Sequence, residues 1–328
     1  MNKLEQVKAM KNGKGLQYLL DAAKSIFHNP ILMFEIDDHL IAFTDDDVDD
    51  PIWNELISTG TFSMKTLEFF AKEYFSECIA NADKVAVVRS AELKYGIMAG
   101  HIFNRENVKV GIVAMYEYWT SFDDDTLAAF ELFSAKITSE IRHDEHFIEL
   151  GRAFHEDMIN RLLDRNIRNP LVYTPHLQIL YDGFDDYLYV AVVDVSRNDI
   201  RQNGLEYFKQ LLMTRNRSYK YAIYSGHIVM IMSSRYKSFY EELFFEEYQG
   251  LFRKNNLFAG VSGSFENLYE LRDHYDEAVA ALKNENSNVQ RVFKYDNTSH
   301  DVHRRAFLAN IIQNAAKMRG ADAVGIPA

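Results

Sequence analysis

Apolar positions in the first half of the chain follow two spacings, one typical of helices and one typical of strands. Over residues 15–27 they recur every three or four positions, which predicts an amphipathic helix ended by Asn29-Pro30. Shorter apolar runs bounded by turn-forming residues predict strands. The predicted elements are a helix over 15–27, strands over 31–36 and 40–43, a helix near 62–79, strands over 85–89, 95–103 and 108–116, and a helix over 126–141.

The second half of the chain has a different order of elements. Tyr187–Val195 is a nearly continuous apolar, β-branched run, which is typical of a central strand buried on both faces. Asn267 precedes a helical face of apolar residues and is expected to cap that helix. The predicted elements are this strand, a helix over 205–213, strands over 219–224 and 227–232, a helix over 239–254, a strand over 257–261, a helix over 268–282 and an edge strand over 290–295. Their β-α-β-β-α-β-α order is that of the ferredoxin-like core of nucleotide cyclases.

Residues 137–165 contain no proline and repeat apolar residues every seven positions, which predicts one continuous helix. Such a helix either pairs with its copy in a dimer or packs on its own domain, and the pattern leaves both open. We therefore expect an α+β protein of four parts. They are an N-terminal antiparallel sheet domain at 1–136, a helical connector at 137–180, a ferredoxin-like α/β domain at 181–297, and a C-terminal helix and tail at 298–328.

Composition restricts the class of protein. The 328 residues carry a formal net charge of −12 and no Lys/Arg-rich stripe, so we do not expect direct binding to nucleic acid. The single cysteine, Cys78, excludes internal disulfides and multi-thiolate metal sites, and its expected role is packing. No apolar run approaches the roughly 18 residues that cross a bilayer, and the N-terminus does not resemble a signal peptide. We expect a cytoplasmic protein.

Candidate metal sites fail on the number and type of ligands. The acids of residues 45–50 fit the first positions of a calcium loop, but Asp50 stands where glycine is required and Leu56 where a bidentate Glu is required. Glu140 and His143 share one helix face, but no second helix offers matching carboxylates. We expect no bound metal and no cofactor.

The run at 260–282, GVSGSFENLYELRDHYDEAVAAL, resembles the end of a known domain. This is the degenerate, GGDEF-like middle domain of the PucR/CdaR family of bacterial transcription regulators. In that family a glycine, a serine and a short loop lead into a helix with an arginine, an aromatic residue and a Glu-Ala pair, here Arg272, Tyr275, Glu277 and Ala278. The resemblance implies a ligand-responsive regulatory protein without catalytic activity that forms a homodimer.

Regulators of this family end with a helix-turn-helix, and no segment after residue 297 resembles one. The resemblance therefore implies DNA binding only through a missing or separate helix-turn-helix. Either the chain is a truncated form of a longer regulator, or it works through partners.

Residues 100–137 resemble the last hairpin and closing helix of a GAF domain, and the element order before them fits a GAF/PAS-type sensor. Domains of this type hold a small effector molecule between one sheet face and the loops above it. Alternatively, the aromatic candidates are core or dimer-interface residues and the arginine is a solvated strand end. The candidate ligand-binding residues are Phe34, Arg89, Tyr95, His101, Tyr116 and Tyr118.

Active diguanylate cyclases have a topology related to that of the second domain. They need acidic residues on the first strand and at the central hairpin to hold two metal ions on the nucleotide phosphates. Asp194 lies at the corresponding point of the first strand, but Ser196 replaces the second acid and residues 224–228 contain no carboxylate. We therefore predict no catalytic residues. The alternatives are a nucleotide-binding or weakly active cyclase-related enzyme, and an interaction protein whose sensor pocket is filled by its own side chains.

Overall fold

The computed structural model describes residues 2–73, 85–167, 170–197, 204–237, 241–283 and 291–295. Cys78 and the C-terminal region predicted at 298–328 lie outside these residues. The chain divides into two compact units, with Met1–Arg161 and Arg165–Asp182 in the first, and Leu162–Asp164 and Gly183–Ala328 in the second. Most of the predicted connector thus belongs to the first unit. Within the described residues, no helix is both long and apolar enough to span a membrane.

Unit 1 contains one antiparallel sheet of five strands in the order β2-β1-β5-β4-β3, together with helices. Two short helices, α1 and the one that follows the acidic run at 45–50, are not predicted from the sequence. Asp50 caps the second of these by accepting from the backbone N–H groups of Ile52 and Trp53. The elements are α1 Lys3–Ala9, α2 Leu16–Phe27, β1 Ile31–Glu35, β2 Leu40–Phe43, α3 Pro51–Thr59, α4 Met64–Glu73, β3 Ala86–Val88, β4 Ile97–Phe103, β5 Lys109–Tyr116, α5 Asp124–Ile141, α6 Glu145–Leu163 and α7 Pro170–Tyr181.

The two faces of the unit 1 sheet pack differently because successive side chains of a strand point to opposite faces. One face, with Met33, Met98 and Met115, packs on α2 and α5 and forms a closed core. The rings of Phe27 and Phe130 meet edge to face in this core at 5.9 Å. The opposite face carries Leu32 and Phe34 of β1 together with residues of β4 and β5.

The continuous helix predicted over 137–165 is wrong, because the chain makes a break between α5 and α6. Helix α5 ends at Ile141, and the backbone N–H of Asp144 bonds to the Ile141 carbonyl at 2.9 Å before α6 begins at Glu145. The Asp144 side chain then accepts from the backbone N–H of His146 at 3.0 Å. An aspartate at this position favours a new helix start over helix continuation.

Unit 2 forms a second sheet of five strands in the order β10-β9-β6-β8-β7, in which only β10 and β9 are parallel. The four antiparallel strands have the order expected for a ferredoxin-like core, so the predicted α+β class, with a GAF/PAS-like antiparallel sheet unit followed by this core, is confirmed. The elements are β6 Tyr187–Asp194, α8 Gly204–Met213, β7 Lys220–Tyr224, β8 His227–Ser234, α9 Glu241–Asn255, β9 Phe258–Val261, α10 Leu271–Lys283 and β10 Val292–Lys294.

Helices cover both faces of the unit 2 sheet. Phe208 of α8 and Phe252 of α9 pack on one face, against Tyr189 and Met230 among others. Helix α10 packs on β6 and β9. Strand β6 is therefore buried along nearly its whole length, as its continuous apolar run predicts.

Candidate ligand-binding site

Unit 1 contains a cavity of about 100 Å³ on the sheet face opposite to α2 and α5. Helices α4 and α7 pack against each other and supply residues to its wall. Phe34, Phe62 and Phe70 form an aromatic side, with ring centroids 5.2 Å and 5.3 Å apart along the series. The lining residues are Leu32, Phe34, Glu35, Ile36, Asp38, Phe62, Leu67, Phe70, Ile97, Ala99, His101, Lys109, Ile112, Ala114, Tyr116, His176 and Ile179.

The strand register places the polar lining residues at one end of this cavity. His101 of β4 pairs with Ile112 of β5, and Glu35 of β1 pairs with Gly111. The backbone N–H of Ile36 bonds to the Val110 carbonyl at 3.0 Å, which brings the β1–β2 turn beside the start of β5. The opposite end is mainly apolar. An apolar chamber with a few polar groups at one end is the usual form of a small-molecule site.

Asp38 lies in the tight turn between β1 and β2. Its φ of 71° is in the left-handed region that Asp adopts more readily than most residues. Burial, with a smaller effect from the adjacent Asp37 carboxylate, raises the pKa of Asp38 from 3.8 to about 7. The carboxyl group is therefore partly protonated at neutral pH, which is unusual for an aspartate.

His176 of α7 closes the same end of the cavity. Burial, and then the nearby Lys109 ammonium, lower the pKa of His176 to about 4, so the imidazole is neutral at physiological pH. Its ring donates to the Ile36 carbonyl, and Nδ1 has no hydrogen-bond partner in the part of the chain that the structure describes. The polar end thus combines a neutral imidazole, a lysine and an aspartate of raised pKa.

Two other acids at this end are engaged in pairs. Glu35 pairs with Nε2 of His146 at 2.6 Å, and this pair raises the pKa of His146. Asp37 pairs with His39 at 3.1 Å and raises the pKa of that imidazole. Atoms of Glu35, Asp37 and His39 lie within 4.8 Å of one another and could hold a cation, but all three are already bonded to each other or to His146.

Three of the six candidate residues line the cavity, namely Phe34, His101 and Tyr116. Tyr116 is 3% exposed and also packs edge to face on Trp53 at 5.3 Å. These residues occupy the same sheet face on three adjacent strands. Their role in ligand binding stays a prediction.

The other three candidates lie outside the cavity wall. The Arg89 guanidinium donates to both carboxylate oxygens of Glu117 at 2.7 and 2.8 Å, which holds the Glu117 pKa below its usual range. Tyr95 and Tyr118 pack ring to ring at 4.7 Å beside the apolar cluster around Trp53. The sequence left open a core or interface role for the two tyrosines and a solvated strand end for Arg89, and a role of any of the three in ligand binding stays a prediction.

Sequence reasoning missed Asp38, Lys109 and His176. Asp38 lies between the strands predicted over 31–36 and 40–43, and the position of a turn residue gives no sign that it lines a cavity. His176 belongs to α7, which the sequence placed in the connector rather than in the sensor domain. No local signal assigns it to the cavity.

In unit 2, the strand end that carries metals in active cyclases has a different structure. The Asp194 carboxylate accepts from the backbone N–H of Ser196 at 2.8 Å and from its hydroxyl at 3.0 Å. Tyr224 and His227 pair across a two-residue turn in which Ser225 and Gly226 have φ of 48° and 80°. Positive φ at both positions matches the favoured hairpin turn, and the turn offers no carboxylate.

Residues from α10 occupy the space beside this hairpin. One guanidinium nitrogen of Arg272 donates to the Tyr224 hydroxyl at 2.9 Å and to the Leu163 carbonyl at 3.1 Å. The Tyr224 hydroxyl in turn donates to Asp164 at 2.7 Å. The Tyr275 ring lies edge to face against the Tyr224 ring at 5.3 Å. The arginine and the aromatic residue of the family-like motif thus tie the hairpin to α10 and to the segment 162–164.

The remaining motif residues fix the close approach of α10 to the sheet. A Cβ on Gly260 would lie 2.0 Å from the backbone carbonyl oxygen of Ala278, so only glycine fits there. The Ser262 hydroxyl accepts from the Val190 N–H at 2.9 Å, and Glu277 accepts from the Gly263 N–H at 3.0 Å. Every motif residue therefore has a packing or hydrogen-bonding role in this unit.

Residues 183–283 match the model of the family described as GGDEF-like domain, which covers the second segment of unit 2 from Gly183 to the end of α10. No curated protein sequence matches the chain significantly. The matched residues contain Asp194, the hairpin and the whole α10 motif.

Three solved structures have weak similarity to the chain. The cofactor binding GAF domain of the nutrient sensor CodY from Clostridium difficile is 15% identical, with a TM-score of 0.28 over 42% of this chain and 90% of that chain. The E. coli DhaR(N)-DhaL complex is 11% identical, with a TM-score of 0.30 over 66% and 84%. PelD 158-CT from Pseudomonas aeruginosa PAO1 is 9% identical, with a TM-score of 0.21 over 79% and 87%. At these scores the likeness does not bear on the function of this chain.

Proposed function

We propose that the protein is a ligand-responsive regulator of the PucR/CdaR type, in which unit 1 binds a small effector and unit 2 is a non-catalytic GGDEF-like domain. The cavity of unit 1 carries this proposal. It is bounded by the sheet face, α4 and α7, is mainly apolar, and has its polar side chains at one end. Sites with this composition bind small molecules in many proteins.

Helix α7 both lines the cavity and leads, along the chain, into the long segment of unit 2. His176 and Ile179 of α7 line the cavity, and α7 ends at Tyr181, two residues before Gly183, where the long segment of unit 2 starts. A ligand that binds better to one position of α7 shifts the population toward that position. The effector thereby changes the segment from which unit 2 starts.

The geometry of unit 2 supports a regulatory rather than a catalytic role. Two metal ions on a triphosphate need several carboxylates, whereas Asp194 is bonded to Ser196 and the hairpin has none. The motif residues of α10 are used for packing. Homodimer formation, a cytoplasmic location and a role in the control of transcription are further parts of the proposal.

A thermal-shift screen of unrelated small metabolites tests the effector site, because a compound that binds the native state alone raises its melting temperature. We expect at least one compound to stabilise the wild-type protein. Ala99 lines the cavity, and Ala99→Leu fills it and removes that shift. The control Ala91→Leu, at an exposed turn residue, keeps it. No stabilising compound, or an equal shift in Ala99→Leu, contradicts an effector in this cavity.

The alternative, a cyclase-related enzyme, is tested by incubating the full chain with GTP and Mg²⁺ or Mn²⁺. We expect no metal-dependent hydrolysis or cyclisation above background. Turnover that Asp194→Asn abolishes would establish the enzyme and contradict a non-catalytic unit 2.

A further inference from the structure

Asp38 is one of the residues that line the cavity, and its carboxylate has no compensating partner among the described residues. Within the described residues, its side chain makes no hydrogen bond and no ion pair. The charge of Asp37 raises the pKa of Asp38, and the charge of His39 lowers it. The backbone N–H of Asp38 bonds to the Glu35 carbonyl at 3.0 Å, so the turn itself does not use the carboxylate. A partly buried carboxylate with no partner is costly when it is ionised.

The neighbouring ionisable groups either are paired or act elsewhere. Glu35 is bonded to His146, and Asp37 to His39. The Lys109 ammonium lowers the pKa of His176. The titratable groups that line the cavity beside Asp38, adjoin it in the turn or pair with a lining residue are Glu35 of β1, Asp37 and His39 of the turn, His101 of β4, Lys109 of β5, His146 of α6 and His176 of α7.

We propose that the cavity binds a small, mainly apolar amine whose ammonium group pairs with the Asp38 carboxylate. This inference rests on the proposed effector site and adds the chemical class of the effector. The apolar walls cover the hydrocarbon part of the ligand, while the ammonium supplies the hydrogen-bond donors and the positive charge that Asp38 lacks. A neutral alcohol supplies one donor without the charge, and a carboxylic acid places a second negative charge beside Asp38.

The pairing has a defined pH dependence. The pKa of Asp38 is about 7 in the free protein, so its carboxylate is mostly protonated below that pH and mostly ionised above it. Aliphatic amines stay protonated across this range. Amine affinity therefore rises between about pH 6 and pH 8, by up to about tenfold, since each unit below the pKa removes about nine-tenths of the ionised form.

Two sets of three compounds with nearly equal shape test whether the ligand is an amine. The aliphatic set is 3-methylbutylamine, 3-methyl-1-butanol and 3-methylbutanoate. The aromatic set is benzylamine, benzyl alcohol and benzoate. Affinities are measured calorimetrically on the full chain. We expect the amine of one set to bind about tenfold or more tightly than its alcohol, and the acid to bind least.

Asp38→Asn keeps the left-handed turn, because Asn also adopts it, and should remove the preference for the amine. The matched control Asp37→Asn changes an exposed neighbour and should keep the preference.

The outcomes separate this inference from the function on which it rests. If an alcohol or acid binds as well as its amine, or if Asp38→Asn retains the amine preference, the assignment of the class is overturned. If all six compounds fail while another compound of the metabolite screen stabilises the wild type but not Ala99→Leu, the effector site stands and the amine is wrong. If no compound binds in either experiment, both proposals fail.

Discussion

Asp38 lies in the turn after strand β1 and Asp194 is the last residue of strand β6, and their carboxylates have opposite surroundings. Asp194 accepts from the backbone and the hydroxyl of Ser196, so its negative charge is used within its own loop. Asp38 lines a mainly apolar cavity without such donors among the described residues, and burial raises its pKa to about 7. The residue that resembles a catalytic acid in sequence thus has its hydrogen bonds within its own loop, whereas the turn residue is the one to which we propose that a ligand binds.

The two sheets also differ in how closely helices pack against them. In unit 2, α10 approaches β9 so closely that no side chain fits at Gly260. In unit 1, the sheet face beneath α4 and α7 leaves an open volume of about 100 Å³. Protein interiors are normally packed to high density, so the cavity lined in part by polar groups is the place where we propose that an effector binds, and the closed contact supports the non-catalytic role that we propose for unit 2.

The largest expected effect comes from filling the closed contact. Gly260→Ala places a Cβ against the Ala278 carbonyl and should lower the free energy of unfolding of unit 2 by about 2–3 kcal/mol. Gly250→Ala is the control, since nothing lies within 4 Å of that Cβ in α9 and alanine favours a helix by about 0.5–1 kcal/mol. Denaturant unfolding measures both. Equal effects of the two substitutions would contradict the close contact.

An intermediate effect is expected at the α10 network. Arg272→Ala removes donors to the Tyr224 hydroxyl and the Leu163 carbonyl and should cost about 1–2 kcal/mol. Arg235→Ala removes an arginine that is 81% exposed and pairs only with Asp185 among the described residues, and should cost less than about 0.5 kcal/mol. Chemical denaturation at neutral pH compares them. A tolerated Arg272→Ala would show that the hairpin is held by ring packing alone.

The smallest effects are expected from neutralising Asp38 and Asp194, and the two substitutions should change stability in opposite directions. The pKa of Asp38 rises from 3.8 unfolded to about 7 folded, so the folded state loses stability as pH rises from about 4 to 7, and the full penalty is present above that range. Asp38→Asn carries no charge and should melt a few degrees higher than wild type at pH 8, on the order of 1 kcal/mol after allowance for partial exposure, with no gain near pH 4.

Asp194→Asn is the comparison for that measurement. It weakens the bonds to Ser196 and should melt slightly lower than wild type at pH 8, by less than about 1 kcal/mol. Melting curves over pH 4–8 give both results. A destabilised Asp38→Asn at pH 8 would mean that the Asp38 carboxylate already has a stabilising partner in the native protein.

Most elements along the chain could be derived from the sequence, because a helix face or a buried strand depends on apolar residues a few positions apart. The run Tyr187–Val195 and the Ser225-Gly226 turn are examples. The break at 142–144 escaped this reasoning, since apolar residues continue on both sides of it while Asp144 begins a new helix.

Three residues of the cavity wall were candidates from the sequence, whereas three of its polar residues, Asp38, Lys109 and His176, were not. Phe34, His101 and Tyr116 could be proposed because each lies on a predicted strand of a sensor-like sheet. Sequence alone determined the two kinds of sheet, the loss of the hairpin acids and the glycine-containing motif of α10, all of which depend on local spacing. Tertiary structure alone decided that Asp38 and His176, 138 positions apart in the printed sequence, line one cavity. That meeting depends on strand register and on the packing of α7, and only the resulting burial gives the two groups their shifted pKa values.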